Sequence, residues 1–469
     1  MTTETLPLES AKILSDCPRL RVLVVGKSGA GKSSLISFAF GVKMESVSDG
    51  ARGVSDINNA IESPQNPRFV LHDSMGFEPG ETENLRSVED FLKARSGEAV
   101  PLKHQVHIIW LCIRVPDSGS RVFETGDEEL LTLAFKLNVP VVVIFTQYDV
   151  LLKGMRLRMR TATSEQRELA AEEDFEELCL KPLQKAQDKE TLPYTRTSGL
   201  SGGVKAKPDW VALDGLVGTT RDLIDKRFGG NAWIVSAMAQ RTSVEEKVKG
   251  ATAVGMKNYW QGLASSTKFP GSKLGTCLNT VHKEMTDSWN LYDPDDLLQN
   301  PEFVTKIRKL AQLVTPNESE MRSSLPNFDQ IHTIVGIVVT AGVVAVVPTI
   351  AAIGLSLWFV NLLIEGYRNT PETLRCFMGY IVDLSLVMDQ IFHITIARAA
   401  RPLTDKDIDE ALENYKNANL GAVHREIRAY AGKATIAQII AAGPAEVKVN
   451  QLIQEYSTDL RAARGARAG

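Results

Sequence analysis

Glycines, a lysine and a serine near the N-terminus have the spacing of a phosphate-binding loop. They lie between the apolar, β-branched run 22–25 and the stretch 34–40, which has the pattern of a helix start. Glycines let backbone N–H groups turn towards a phosphate, and a helix N-terminus adds partial positive charge. The Lys32 ammonium would reach the β- and γ-phosphates, and the Ser33 hydroxyl would ligate Mg²⁺. The predicted binding residues are Gly26, Lys27, Ser28, Gly29, Ala30, Gly31, Lys32, Ser33 and Ser34.

A second motif, Asp-x-x-Gly, ends the apolar run 69–72 and consists of Asp73 through Gly76. Asp73 would lie beside Mg²⁺, through a water, and the Gly76 N–H would contact the γ-phosphate. The alternative is an ordinary turn. We therefore predict catalytic roles for Lys32, Asp73 and Gly76, and metal ligation by Ser33 and Asp73.

A third motif, Thr146-Gln147-Tyr148-Asp149, ends another apolar run. A carboxylate at Asp149 can accept hydrogen bonds from guanine N1–H and the 2-amino group, whereas adenine offers neither donor there. The motif resembles the Asn/Thr-Lys-x-Asp motif of GTPases, with Gln147 where lysine is usual. Glutamine keeps the long stem without the charge, so affinity would fall while specificity survives. The alternative role for Asp149 is a helix N-cap.

GTPases also place a short loop after the next strand, where a backbone N–H contacts guanine O6. Ser198, in the sequence Arg196 to Gly199, follows the expected order of strand, helix, strand and loop. Ser236, between Val235 and Ala237, is the rival position. We predict that Ser198 joins Thr146, Gln147 and Asp149 at the base.

The elements that position these residues alternate between strand-like and helical patterns from residue 20 to about 230. This alternation is typical of an α/β domain with a mostly parallel sheet. Residues 156–189 are rich in Glu, Arg, Lys, Leu and Ala and predict one long exposed helix. The predicted strands are 21–25, 68–72, 107–115, 139–145 and 192–197.

Helical patterns dominate from residue 213 onward, beginning with 213–227, and no clear strand pattern follows about residue 235, which predicts an all-α second part. Its predicted helices include 243–264, 274–290 and 302–313, and a capping box at Thr404. The predicted division is a loose leader over 1–19, a P-loop G domain over 20–230, a helical extension over 231–330, an apolar helix or hairpin over 331–365 and a helical region over 366–469.

The stretch 333–364 contains no charged residue and is longer than the roughly 20 residues that cross a bilayer. It predicts either a membrane segment, spanning or turning at Pro348, or a buried helix pair in the α-helical part. Valine and glycine cost helix propensity in water but are common in membrane helices. A membrane is therefore one expected partner of this segment.

Bulk properties narrow the class of protein. The net charge of −4 in 469 residues gives no field for nucleic acid, so no nucleic-acid partner is expected. Five scattered cysteines indicate reduced thiols in an intracellular protein. The acidic-polar N-terminus lacks the basic and apolar parts of a signal peptide. We expect a cytoplasmic location or the cytoplasmic face of a membrane.

Together, the motifs over about 20–230 resemble the G domain of translation-factor-class GTPases. The loop with Ser28 is most similar to septin and immune-associated (AIG-type) GTPases. A longer resemblance is to a family of fungal G-domain-containing proteins. It rests on the sequences at 68–74, 76–80, 109–113, 259–260, 289–290 and 292–294. The resemblance implies GTP or GDP and Mg²⁺ as ligands, and a nucleotide switch that controls dimerisation or membrane exposure.

Two departures bear on hydrolysis. Phe77 follows Gly76, where Ras-like GTPases place a water-orienting glutamine, and this predicts slow hydrolysis of GTP to GDP. Residues 44–62 contain no threonine to close on Mg²⁺, and Ser48, Ser55 and Arg52 are the candidates there. The alternatives are a non-catalytic, nucleotide-bound assembly scaffold of the septin kind, or an ATPase. His72, beside Asp73, is expected to be a packed strand histidine.

Overall fold

The computed structural model forms two compact units, residues 12–247 and residues 1–11 with 248–469. We describe each unit by itself. The described residues are 8–43, 57–73, 82–116, 121–186, 191–200, 207–255, 274–314, 371–396, 401–433 and 442–457.

The first unit is built on a six-stranded sheet of order β2-β3-β1-β4-β5-β6. All neighbouring strands are parallel except β2, which pairs antiparallel with β3 at one edge. The strands are β1 Leu20–Val25, β2 Ile61–Ser63, β3 Asn66–Asp73, β4 Ile108–Arg114, β5 Val141–Thr146 and β6 Tyr194–Arg196. This confirms the predicted α/β fold with a mostly parallel sheet.

Helices cover both faces of this sheet, as the apolar residues of the central strands require. Every residue of β5 is buried, and so is every residue of β4 except Arg114. The helices before residue 256 are α1 Glu9–Asp16, α2 Lys32–Phe40, α3 Thr82–Ala94, α4 Thr125–Leu137, α5 Tyr148–Arg158, α6 Ser164–Phe175, α7 Lys181–Ala186, α8 Trp210–Phe228, α9 Ala232–Ala239 and α10 Val244–Gly255.

The prediction of one long exposed helix over 156–189 is wrong. The preceding helix α5 ends at Arg158, and Thr163 starts a new one as its N-cap. The Thr163 hydroxyl accepts from the Gln166 N–H at 3.2 Å, and the Gln166 side chain accepts from the Thr163 N–H at 2.9 Å. This capping box separates α5 from α6. A π turn, Glu176–Leu180, then joins α6 to α7, and Phe175, among others on this stretch, is buried in the core.

Residues 9–16 form a helix, so this part of the predicted loose leader is ordered. Ser10, in the part of this helix that belongs to the second unit, is buried, and its N–H donates to the Glu284 carboxylate of the same unit at 3.0 Å. A polar leader with a few apolar residues gives little helical pattern over eight residues, which is why the sequence alone did not indicate it.

The helix α9, which lies in the predicted helical extension 231–330, packs against β1 and β3 of the first unit. Asn66 at the start of β3 holds it there. The fully buried Asn66 side chain donates to the Phe40 carbonyl at 2.8 Å and to the Ala239 carbonyl at 2.7 Å. One carboxamide thus joins the ends of α2 and α9 to the sheet.

We expect Asn66→Ala to lower the free energy of unfolding of this unit by about 2 kcal/mol, because two buried carbonyls lose their donor. Urea unfolding followed by circular dichroism measures the change. Asn59→Ala, at an exposed position, is the matched control and should stay within about 0.5 kcal/mol of the wild type. An Asn66→Ala value equal to that of the control would contradict the assigned role.

In the second unit, the described residues from 274 onward are helical apart from turns and loops, as predicted. Thr404 is the N-cap of a capping box with Asp407, which confirms the predicted box. The helices are α11 Leu274–Trp289, α12 Pro301–Gln312, α13 Pro371–Ile396, α14 Asp405–Tyr415, α15 Gly421–Lys433 and α16 Ala442–Tyr456. A π turn, Lys416–Leu420, links α14 to α15.

One helix within the described residues is long and apolar enough to cross a membrane, at Glu372–Ile396. Its most apolar window is 83% buried within the protein, as in the core helix of a globular domain. Asp383 lies at its centre, fully buried, and accepts from the Tyr415 hydroxyl at 2.6 Å and from His424 Nε2 at 2.9 Å. The predicted membrane segment 333–364 is a different stretch and lies outside the described residues.

All five cysteines are free thiols, and all are buried. Burial raises the pKa of each thiol to about 12. They are Cys17, Cys112 and Cys179 in the first unit, and Cys277 and Cys376 in the second.

Candidate nucleotide site

The predicted site residues within the described part of the chain meet at one edge of the sheet, because parallel strands bring their carboxyl ends together. β1 ends at Val25, immediately before the glycine loop, and β3 ends at Asp73. β5 ends at Thr146. β1 lies between β3 and β4, at the point where the strand order reverses, which is where open α/β sheets form their ligand crevice.

The glycine loop fits closely against the neighbouring strand β4. Gly26 has φ +154°, and a Cβ atom there would lie 2.3 Å from the Cys112 carbonyl oxygen. No side chain fits in this space, so the loop needs glycine to leave β1 at this angle. The loop then leads into α2, which begins at Lys32 with Gly31 as its N-cap.

The Lys32 side chain folds back over this loop. Its ammonium donates to the Gly26 carbonyl at 2.6 Å and lies 4.0 Å from the Asp73 carboxylate. Burial raises the pKa of the Asp73 carboxyl, and the Lys32 charge opposes that rise. The lysine of the first motif and the aspartate of the second therefore lie close together, and their roles at a phosphate stay predictions.

Ser33 and Asp73 supply oxygen atoms of the kind that Mg²⁺ prefers. Ser33 is exposed in the first turn of α2, and Asp73 faces the adjoining lysine. Within the described residues, no group of three or more His, Cys, Asp or Glu could hold a metal alone. This donor set fits a magnesium ion that completes its shell with phosphate oxygens and water, the usual arrangement for this cation.

Thr146 and Gln147 tie the third motif to the glycine loop. The Thr146 hydroxyl donates to the Ala30 carbonyl at 2.7 Å, and Gln147 Nε2 donates to the Gly29 carbonyl at 2.7 Å. Gln147 has φ +61°, so the backbone turns sharply before α5. The neutral carboxamide at 147 therefore positions the phosphate loop by a hydrogen bond that needs no charge.

Asp149 lies in the first turn of α5, close to the loop after β6. Its Oδ1 accepts from the Gly199 N–H at 3.3 Å, and its Oδ2 accepts from the Lys153 ammonium at 2.7 Å. Burial alone would raise the pKa of this carboxyl, but the bonds to Lys153 and Gly199 outweigh it and hold the pKa below its ordinary value. An ionised carboxylate is the form that can accept from guanine.

Ser198 lies in the same loop, next to Gly199, whereas Ser236 is buried within α9. Gly199 has φ +68°, and a Cβ atom there would lie 1.8 Å from the Lys207 carbonyl oxygen. The loop that contacts Asp149, through the Gly199 N–H, is thus the one that contains Ser198 and not Ser236.

Three ion pairs beside the site are not among the predictions from the sequence. Lys153 pairs with Asp149 across one helical turn, a spacing of four that could have indicated it. Lys27 pairs with Glu124 at 2.6 Å, and Arg196 with Glu172 at 2.5 Å. Nothing in the sequence indicates these two contacts, because each joins residues distant along the chain.

Several predicted residues lie outside the described residues. They are Gly76, Phe77, Ser48, Arg52 and Ser55. Their roles stay predictions. His72 is fully buried in β3, which confirms the packed histidine.

We expect Gln147→Ala to weaken GTP and GDP binding equally, by about 5-fold, because one hydrogen bond that positions the loop is lost. Titration with fluorescent guanine nucleotides measures both affinities. Preference for guanine over adenine should not change, since Asp149 is untouched. An altered base preference would show that Gln147 contacts the base instead.

Comparison with known proteins agrees with this geometry. Residues 21–147 match the family model described as 50S ribosome-binding GTPase, and residues 297–464 match a domain of unknown function (DUF8505). No curated protein matches the chain. With the fold, the first match identifies the N-terminal unit as a GTP-binding P-loop GTPase domain. The likeness to translation factors, septins, immune-associated GTPases and fungal proteins stays a prediction.

Two solved structures are similar over different lengths. A probable GTP-binding protein, engB, is 17% identical and covers 44% of this chain and 99% of its own, with a TM-score of 0.25. The bacterial dynamin GTPase LeoA from ETEC is 11% identical and covers 96% of this chain and 88% of its own, with a TM-score of 0.28.

Proposed function

We propose that the chain binds GTP with Mg²⁺, hydrolyses it slowly to GDP and acts as a nucleotide switch. One observation carries this proposal. The loop that precedes Asp149 is hydrogen-bonded to the glycine loop at Ala30 and Gly29, so a base reader and a phosphate site are held at fixed separation. A single guanine nucleotide would satisfy both.

The chemistry follows from the residues in place. Lys32 neutralises charge on the β- and γ-phosphates, and α2 directs its N-terminal N–H groups at them. Mg²⁺ supplies charge stabilisation on the phosphate oxygens when it is bound. Ser33 and Asp73 would hold it, directly or through water.

The proposal that hydrolysis is slow is based on the residue that follows the Asp-x-x-Gly motif. Phe77 follows Gly76 and cannot orient an attacking water by a hydrogen bond. Fast turnover would then need a group from a partner, such as a second G domain in a homodimer. The same residue favours a second candidate, a scaffold that retains GTP or GDP and assembles without turnover.

Equilibrium binding and turnover test the proposal on the purified full chain. We expect GDP and a non-hydrolysable GTP analogue to bind in a Mg²⁺-dependent manner, and the matching ATP analogue to bind far more weakly. Single-turnover hydrolysis should be slow in dilute protein. Fast hydrolysis by dilute monomer contradicts the slow switch, and none above background with retained nucleotide selects the scaffold.

Membrane contact through 333–364 belongs to the same proposal. Flotation with liposomes, in GDP and in the non-hydrolysable analogue, tests it directly. Binding only with the analogue supports a membrane switch. Unbound protein in both nucleotides assigns this apolar stretch to a protein core.

A further inference from the structure

His72 is the second-last residue of β3, immediately before Asp73, and its ring is fully buried. It is paired in register with Leu23 of β1, on the face of the sheet covered by α3. Its ring centroid lies 4.6 Å from that of Phe91 on α3. A polar ring at this depth is costly unless both nitrogens are bonded.

Both ring nitrogens have partners. Nδ1 lies 2.8 Å from the Ile57 carbonyl oxygen, and Nε2 lies 2.6 Å from Nη1 of Arg21. A carbonyl only accepts and a guanidinium only donates, which assigns the proton to Nδ1. Nδ1–H therefore donates to Ile57.

The proposed switch would order two loops, 44–62 and 76–85, when the γ-phosphate is bound. Ile57 lies in the first of them and is its first described residue. Its side chain is buried in the core cluster that contains Val88, Phe91 and Leu92 of α3. The helix α3 in turn follows residues 74–81, the continuation of the Asp-x-x-Gly motif. Ile57 is thus held through its carbonyl by β3 and through its side chain by α3.

We propose that His72 is a positioning residue that couples the two nucleotide-responsive loops, 44–62 and 76–85, by fixing the first at Ile57 to the strand that leads into the second (β3, which ends at Asp73). The inference rests on the proposed switch. A change at Asp73 on γ-phosphate binding passes to Ile57 by two routes. One is the hydrogen bond from His72 to the Ile57 carbonyl, and the other is Phe91 of α3, which packs against His72 and lies in the same core cluster as Ile57. His72 touches neither phosphate nor metal, so its effect lies in the difference between GTP-bound and GDP-bound states.

Two near-isosteric variants separate the two ring nitrogens. In His72→Asn the carboxamide N–H₂ occupies the place of Nδ1 and can still donate to Ile57. In His72→Gln the carboxamide reaches the place of Nε2 and can accept from Arg21, but the Ile57 carbonyl loses its donor. The two variants lose one buried hydrogen bond each, so their melting temperatures should fall together.

Hydrogen exchange of peptides covering 57–63 tests the anchor in the full chain without added nucleotide. We expect about tenfold faster exchange in His72→Gln and near-wild-type exchange in His72→Asn, since one buried hydrogen bond is worth about that factor. Equal exchange in both variants overturns the assigned contact. This readout does not depend on the nucleotide switch.

The ratio of affinities for GDP and the non-hydrolysable GTP analogue tests the coupling. We expect His72→Asn to keep the wild-type ratio and His72→Gln to move it several-fold towards 1. A wild-type ratio in His72→Gln, or an equal loss in both variants, overturns the proposal. If the wild type itself distinguishes neither state, the switch has failed, whatever the exchange data show. Should His72→Gln not fold, Ile57→Ala must reduce the ratio instead, and an unchanged ratio overturns the coupling.

Discussion

Lys32→Met lowers the affinity for both GTP and GDP by at least about 100-fold, in our expectation. The ammonium would make charge-assisted hydrogen bonds to two phosphate groups, each worth roughly 1.5–3 kcal/mol. Methionine keeps the length of the stem but removes the charge and every donor. Fluorescent-nucleotide titration in the presence of Mg²⁺ measures the loss.

The fold should survive this change, because the described hydrogen bonds of Lys32 go only to carbonyls of its own loop, Gly26 and Lys27. The melting temperature provides that check. Lys93→Met is the matched control, since Lys93 is an exposed α3 lysine paired with Glu89. Retained affinity in Lys32→Met with normal folding would remove the phosphate assignment for this loop.

Asp149→Asn should reduce GTP affinity by a factor of about 100 or more and admit xanthine nucleotides. Guanine presents two donors, N1–H and the 2-amino group, to this side chain. The amide offers one acceptor and sets its own donor against a guanine donor, which leaves buried groups unpaired. Xanthine carries a carbonyl in place of the 2-amino group, so it can accept from the amide. Competition of GTP and xanthosine triphosphate for a fluorescent probe measures the exchange of preference.

Two controls make this result specific. Asp222→Asn alters an exposed aspartate on α8 and should leave both affinities unchanged. Lys153→Met removes the cation that pairs with Asp149 but keeps the carboxylate, and guanine preference should persist. An Asp149→Asn protein that still prefers GTP to xanthosine triphosphate would refute the base assignment.

The main sheet could be predicted from the sequence because its strands are long apolar runs. All five predicted strands are present, and the most apolar prediction, 139–145, lies over β5. β2 was missed because it has only three residues at an edge, too few for a period-2 pattern. The sequence places α9 in the helical extension and not with the sheet, because the sequence of a buried apolar helix does not indicate which elements it packs against.

The candidate site was predicted through local motifs that keep their spacing in the chain. Two of its residues end a strand (Asp73 and Thr146), and two follow one (Lys32 and Asp149). Parallel pairing of these strands brings the four residues to the same edge of the sheet. The role of Gln147 could be predicted only in part. The sequence shows that the usual lysine charge is missing, but it does not show that the Gln147 carboxamide donates to the Gly29 carbonyl. The contacts of His72 with Ile57 and Arg21 depend on three separate strands and turns, and no single-sequence pattern encodes them.

The buried cysteines can report how often each unit of the protein opens. A thiol reagent can modify each one only when the surrounding structure separates, and Cys17, Cys112 and Cys179 sit in a different unit from Cys277 and Cys376. The rate of modification at each site, read by mass spectrometry, therefore gives the opening free energy of each unit separately. Added nucleotide should slow the modification of the three cysteines in the first unit by mass action. The modification rates of the two cysteines in the second unit should stay the same and serve as the internal reference.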